Sequence, residues 1–405
     1  MVAAAVALLA GCTHTQAEPT TSASPAAQSK ASHWVEAWQA PPSTTVPNGC
    51  GGSGREAALP GNRASSQTLR FAVRPGAGGV AVRIRLSNRY GATPLRIRRV
   101  TVGIQATGAN AAPRTLGAVA FTGASAVEIP AAGETTSDAL TMRVDPARNL
   151  IVSIALQSGG VLTWHPIATG TAVATGPGTG DHTNEPSAHA YTYALHSYPV
   201  LAGIEVRAPE NVGAIVALGD SLTDGASGRP NRHWVDILGA RLRAAGAPAS
   251  VVSSGIACNT LTRMITYGGQ PAATRFGTDV LQRSGVSHVI IFEGTNDLAI
   301  GATAPAIIDA LRALAARAHA AGLKVIGATI IPAPAGGSRR HTVNDWIRTT
   351  DVFDGVIDFD AVMRSASNPD RLNPSYDTGD HVHPNTAGHV AMGNAIRLAL
   401  FRANG

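Results

Sequence analysis

After Pro209 the chain changes rhythm, and that change constrains the fold more than any other feature. Short apolar runs at 214–218, 249–253, 286–292, 325–331 and 355–359 alternate with segments of helical period. Apolar runs without polar alternation are covered on both faces, which predicts a parallel sheet with helices on either side. In one such segment, 305–321, Ile307, Ile308, Leu311, Leu314 and Ala318 share a face, and Gly322 supplies a stop. From Trp34 to Arg207 the pattern is instead short and alternating. Runs at 69–73, 80–86, 95–104 and 150–156 are separated by Gly, Pro and Asn, and no helical segment interrupts them. That half is expected to be an all-β sandwich of jelly-roll type.

The length of 405 residues fits two domains. A hydrophobic content of 44% with 14% charged residues marks a core-forming chain. The net charge of +6 is carried almost wholly by arginine, because Lys30 and Lys324 are the only lysines. These arginines are scattered, with no basic block interleaved with aromatics, so nucleic acid is not an expected partner.

Three cysteines remain to be placed. Cys12 closes Leu9-Ala10-Gly11-Cys12 directly after the apolar run 2–10, which is too short to span a bilayer but fits a signal-peptide core. The tetrad resembles the lipobox of bacterial lipoproteins, in which the cysteine is acylated and becomes the mature N-terminus. No Lys or Arg precedes the run, which leaves an upstream start open. The expected organisation is a signal peptide at 1–11, a flexible tether at 12–32 rich in Ala, Ser, Thr and Pro, the β-sandwich at 33–207 and the α/β domain at 208–405. The chain is then exported to the bacterial envelope, with a lipid at Cys12 as its membrane partner. In that oxidising compartment Cys50 and Cys258 either pair or stand as two independent thiols.

The chemistry gathers at the ends of the apolar runs. The first stops at Gly219-Asp220-Ser221-Leu222, which presents one hydroxyl at the carboxyl end of a buried strand, where open α/β sheets place ligand sites. A serine hydroxyl needs an adjacent base before it attacks an ester. His383 is the candidate base, and Asp380, three residues earlier, is placed to orient it and stabilise its charged form. Donors for an oxyanion are available at Ser221, at Gly255 in the loop 253–259 and at Asn296 in Glu293-Gly294-Thr295-Asn296-Asp297. Asp380, His381 and His383 also have the residue types of a metal site, but no further acids or histidines cluster with them, so neither metal nor cofactor is expected.

These segments, in this order, resemble the SGNH (GDSL) hydrolase family. Its namesake residues fall on Ser221, Gly255, Asn296 and His383, and its Asp-x-x-His pattern falls on Asp380 and His383. The resemblance covers roughly 211–400. It implies a flavodoxin-like three-layer α/β/α domain and a serine esterase working through an acyl-enzyme. One departure stands out: relatives often carry Gly-x-x-Gly-Asn where this chain has Gly255-Ile256-Ala257-Cys258-Asn259. The layout also resembles, more loosely, bacterial carbohydrate esterases that deacetylate polysaccharides. The expected substrate is an ester of a short acyl group, either a small molecule or an O-acetylated glycan. An acyltransferase, a lipase or thioesterase, and a non-enzymatic glycan-binding protein are the alternatives. Trp234 is expected to pack in the core, as is Trp164, with His165 beside it at the surface.

Overall fold

The apolar runs of the second half form one parallel sheet. The computed structural model describes residues 1–3, 31–43, 59, 63–157, 159–247, 249–265 and 268–401. Across the sheet the strands run Ala249–Gly255, Gly213–Gly219, Val286–Phe292, Lys324–Ala328 and Gly355–Ile357. This is the 2-1-3-4-5 order of flavodoxin-like sheets. Successive side chains of a strand face opposite ways. Val216, Leu218, Val289, Ile291 and Val325 therefore share a core with Ile307, Leu311, Leu314 and Ala318 of helix Ala304–Ala320. Ile215, Ala217, Ile290, Phe292 and Ile326 point the other way. They meet Trp234, Leu238 and Leu242 of helix Trp234–Ala244 and Met392 of helix Thr386–Ala395. Helices on both faces make three layers.

The helix expected at 305–321 is Ala304–Ala320. Thr303 caps its start by accepting from the Ala306 N–H, and Gly322 follows its end at φ 76°. Two strands stop sooner than their apolar runs. Ile330 leaves the sheet because Asn344 takes over its backbone, accepting from its N–H and donating to its carbonyl at 2.8 Å each. Phe359 opens helix Phe359–Met363, because the Asp358 side chain accepts from the Ala361 N–H and caps it.

Among the described residues of the first half every strand pairing is antiparallel. One sheet holds Ser32–Gln39, Leu201–Pro209 and Gly79–Ser87, extended by Glu134–Thr136 and Leu140–Val144. The other runs Tyr193–Ala194, Thr171–Ala174, Thr68–Val73, Leu150–Leu156, Leu95–Ile104 and Gly117–Val119, with Val127–Ile129 also on Leu95–Ile104. Val82, Ile84 and Ile204 from the first share one core with Phe71, Val100 and Ile154 from the second. Two antiparallel sheets closing on a common core form a sandwich.

The sandwich and the α/β layers belong to one unit, 32–405. Strand Leu201–Pro209 is followed by only residues 210–212 before the next strand begins at Gly213. Across the junction the Glu36 N–H donates to Ser284 O (2.8 Å), and Gln39 Nε2 donates to Ser254 Oγ (3.2 Å) and Asp279 O (3.0 Å). Gly285, at φ 68°, lets the backbones meet, since a Cβ there would lie 3.0 Å from Trp34 O. Met1–Ala31 is a separate unit. The expectations for Cys12 and for residues 12–30 of the tether at 12–32 lie outside the described residues, as does Cys50, whereas Ser32 already opens the first strand by pairing with Pro209. No helix among the described residues is long and apolar enough to cross a membrane.

Candidate active site

Strand Gly213–Gly219 ends in a turn that becomes the short helix Ser221–Asp224. Asp220 caps that helix by accepting from the Leu222 N–H at 2.9 Å, and Gly225 closes it at φ 98°. The serine is thereby fixed at the carboxyl edge of the sheet, beside the ends of Ala249–Gly255 and Val286–Phe292.

His383 arrives from the far end of the chain. Its Nε2 lies 2.9 Å from Ser221 Oγ, and its Nδ1 lies 2.6 Å from Asp380 Oδ2. A carboxylate only accepts, so Nδ1 carries the hydrogen and Nε2 keeps a lone pair facing the serine hydroxyl. Asp380 Oδ1 accepts from the Val382 and His383 N–H groups at 2.9 and 2.8 Å. Burial opposes ionisation of Asp380, yet the His383 backbone N–H and imidazole and the Val382 N–H outweigh it, and its pKa falls below the usual carboxylate range. The turn that Asp380 builds also aims the ring it orients. His381 makes a separate pair, Nδ1 to Asp377 Oδ2 at 2.7 Å. Among the described residues no group of three or more His, Cys, Asp and Glu is arranged to hold a metal ion.

The expected oxyanion donors sit at the same edge. Gly219 and Gly255 are paired neighbours, and the Gly255 N–H donates to Ser253 Oγ at 3.3 Å. Asn296 follows Val286–Phe292, and its Nδ2 donates to Asn259 O (2.8 Å) and Asp220 Oδ2 (3.2 Å). Both amide hydrogens therefore face internal acceptors, and the Asp220 contact is the weaker of the two. Asp297 is a brace, accepting from the Leu261 and Thr262 N–H groups and the Thr262 hydroxyl. Glu293 is fully buried, neither of its oxygens accepts a hydrogen bond, and Arg275 Nη2 stands 3.5 Å away. Burial drives its pKa well above the usual carboxylate value, and burial likewise raises that of Asp220. A carboxyl without hydrogen bonds is least costly to bury in its neutral form.

Cys258 is disulfide-bonded, with its partner outside the described residues. It has φ 59°, the left-handed region that glycine favours, at the position where the family resemblance leads one to expect glycine. The departure seen in sequence is therefore a side chain held in a glycine-like conformation.

Several supports escaped the sequence. Arg275 is buried behind the turn, donating to Asn259 Oδ1 (2.9 Å), Ser254 O (2.8 Å), Gly219 O (2.9 Å) and Asp279 Oδ2 (3.2 Å). It joins the ends of two strands to the donor loop, yet nothing in its local sequence sets it apart from a surface arginine. Trp234 packs as expected, fully buried with Nε1 donating to Leu222 O at 3.1 Å. His165, expected at the surface, is buried, and its Nε2 lies 2.9 Å from Asp224 Oδ1. Strand Trp164–His165 is covered on both faces, so alternation along it exposes neither residue.

Residues 217–391 match the GDSL-like Lipase/Acylhydrolase family. The chain is similar to a GDSL-like lipase from Bacteroides thetaiotaomicron, with 24% identity over 47% of this chain and 88% of that one and a TM-score of 0.36. It is also similar to the psychrotrophic esterase EstA of a Pseudoalteromonas species, with 20% identity over 45% of this chain and 93% of that one and a TM-score of 0.37. For the aryl esterase of M. smegmatis the values are 18%, 45%, 95% and 0.37. No curated protein matches the sequence.

Proposed function

Residues 217–391 are a GDSL-like lipase/acylhydrolase domain and the reaction is carboxylic ester hydrolysis; we propose that Ser221 is the nucleophile of that reaction. His383 takes the hydroxyl proton through Nε2 as Ser221 Oγ attacks the ester carbonyl, and Asp380 balances the imidazolium that forms. The oxyanion lies among the Ser221 and Gly255 N–H groups and the Asn296 amide, replacing the long Asp220 and Ser253 contacts. His383 returns the proton to the leaving alcohol, then activates a water that releases the acyl group from Ser221. The observation that carries this reading is the unbroken chain from Ser221 Oγ through the His383 ring to Asp380 Oδ2, at 2.9 and 2.6 Å.

The preferred acyl group is short. The His383 and Asp380 side chains are 18% and 48% exposed, so the buried Ser221 is approached across an open rim that gives a long chain little to bury in. Such a rim admits a bulky alcohol, and an O-acetylated glycan is the substrate class we favour. The protein works in the bacterial envelope, anchored through a lipid on Cys12. The Leu9-Ala10-Gly11-Cys12 tetrad and a disulfide at Cys258 both support export to an oxidising compartment.

The test is hydrolysis of p-nitrophenyl esters from acetate to palmitate by the full chain and by its Ser221→Ala variant, with acetate release from an O-acetylated polysaccharide alongside. Activity highest on acetate and lost in the variant is expected. Retained turnover in Ser221→Ala would overturn the nucleophile, and an optimum on long chains would overturn the short-acyl reading.

A further inference from the structure

One carboxylate beside the nucleophile joins three segments of the fold. Asp224 is the last residue of the helix that Ser221 opens. Its Oδ2 accepts from the Ala257 N–H at 2.9 Å. Ala257 lies in the loop between Gly255 and Asn259, and the Asn259 carbonyl holds the Asn296 amide. The other oxygen, Oδ1, faces His165 Nε2 at 2.9 Å, and His165 belongs to the β-sandwich half. The far side of the ring, Nδ1, lies 3.0 Å from Pro41 O. Tyr198 stacks on the ring at 6.2 Å between centroids.

The partners order the hydrogens of this clasp. Pro41 O only accepts, so Nδ1 carries a hydrogen. Asp224 Oδ2 accepts from the Ala257 N–H, and a second hydrogen lies between Nε2 and Oδ1. Burial alone would discharge the ring, but the Asp224 carboxylate and the Pro41 carbonyl outweigh it and raise its pKa. Asp224→Ala removes both contacts at once, whereas an amide at 224 accepts from the Ala257 N–H and donates to Nε2 of a neutral ring, so Asp224→Asn keeps the clasp without its charge.

We propose that Asp224 and His165 are positioning residues for ester hydrolysis, holding the Ser221 turn in register with the 256–259 loop. The β-sandwich is then part of the catalytic apparatus rather than an appended binding module. This rests on Ser221 being the nucleophile. Neither residue touches the reacting atoms; each acts through the segments it joins. Freed from Asp224, the loop drifts relative to Ser221, and attack loses its alignment with the donors.

The experiment compares the full chain with Asp224→Ala, Asp224→Asn, His165→Ala and His165→Gln. The readouts are kcat and KM on p-nitrophenyl acetate, the rate of Ser221 phosphonylation by a p-nitrophenyl phosphonate, and thermal melting. Asp224→Ala and His165→Ala should lower kcat and phosphonylation together, by about tenfold to a hundredfold, with KM nearly unchanged. Asp224→Asn and His165→Gln each keep a hydrogen-bonding group in the clasp and should recover part of the loss. Folded Asp224→Ala and His165→Ala variants that are phosphonylated at the wild-type rate would overturn the proposal and leave the Ser221 reading standing. An inert wild type removes both. If neither alanine variant folds, Asp224→Asn and His165→Gln carry the comparison, and wild-type phosphonylation in both would overturn the proposal.

Discussion

Gly255→Ala adds one methyl group where the site has no room. A Cβ at Gly255 would lie 2.2 Å from Asp224 N, 2.6 Å from Asp224 Cα and 2.7 Å from Thr223 C. All three are backbone atoms of the helix that Ser221 opens, so no rotamer change relieves the contact. Ordinary contact begins near 3.4 Å, so the helix and the strand end must separate by roughly 1 Å, a displacement that costs about a hundredfold in rate when it reaches the reacting groups. Forcing a methyl into packed backbone also costs about 1–3 kcal/mol of stability. The substitution keeps the residue 255 N–H, so lost activity reports displacement rather than a missing donor. Turnover of p-nitrophenyl acetate, with active sites counted by phosphonate titration, measures the first effect, and urea unfolding measures the second. Gly277→Ala is the control, because its Cβ would meet nothing nearer than Arg317 Nη2 at 3.8 Å. Wild-type kcat and an unchanged urea midpoint in Gly255→Ala would refute the claim that this close approach sets the position of Ser221.

Three further outcomes are expected. Asn296→Ala should lower kcat on p-nitrophenyl acetate by about a hundredfold with little change in KM, since oxyanion donors act mainly in the transition state; near-full kcat would remove Asn296 from that role. Arg275→Met should cost about 1–3 kcal/mol by urea unfolding, because the buried Ser254 carbonyl and Asn259 Oδ1 lose their donor while Asp279 keeps Arg89 and Thr278; an unmoved midpoint would show the network to be dispensable. Burial and the neighbouring His233 lower the pKa of His389 from 6.5 to about 4, so the unfolded chain binds more protons between those values. Stability from this group is whole above pH 6.5 and declines toward pH 4, by up to ~3 kcal/mol, and His389→Gln should flatten that decline in urea titrations at pH 7 and pH 4.5.

The parts of the fold that the sequence made legible are those written in local periods. Runs dominated by apolar residues mark the strands at 286–292 and 150–156 to the residue, although Ser287, His288 and Ser153 interrupt them. The same locality exposes the Asp380–His383 unit, whose members are three residues apart and share one turn. It also exposes the Gly-Asp-Ser turn, where strand, cap and hydroxyl follow in order. Strand 324–328 ends early for a reason no period carries. Asn344, on the helix that follows, claims the backbone of Ile330 across 14 residues.

The supports of the site follow the same division. Arg275 reaches Gly219 from 56 residues away, and His165 reaches Asp224 from 59. An isolated arginine or histidine has no periodicity to betray its partner, and composition alone sends both outward. Their burial is settled by unmet acceptors that exist only once the chain has folded: strand-end carbonyls at Gly219 and Ser254 for Arg275, Pro41 O and Asp224 for His165. Cys258 joins the two cases. Its departure from glycine is visible in sequence, but its meaning depends on a φ of 59° that only the folded loop imposes. A residue other than glycine in that region costs about 1 kcal/mol or more, and the Ala257 N–H on Asp224, the Asn259 N–H on Ile256 O and the covalent bond at Cys258 together restrain the loop around it. The motif therefore names the chemistry, while the alignment of that chemistry depends on long-range contacts that the motif does not contain.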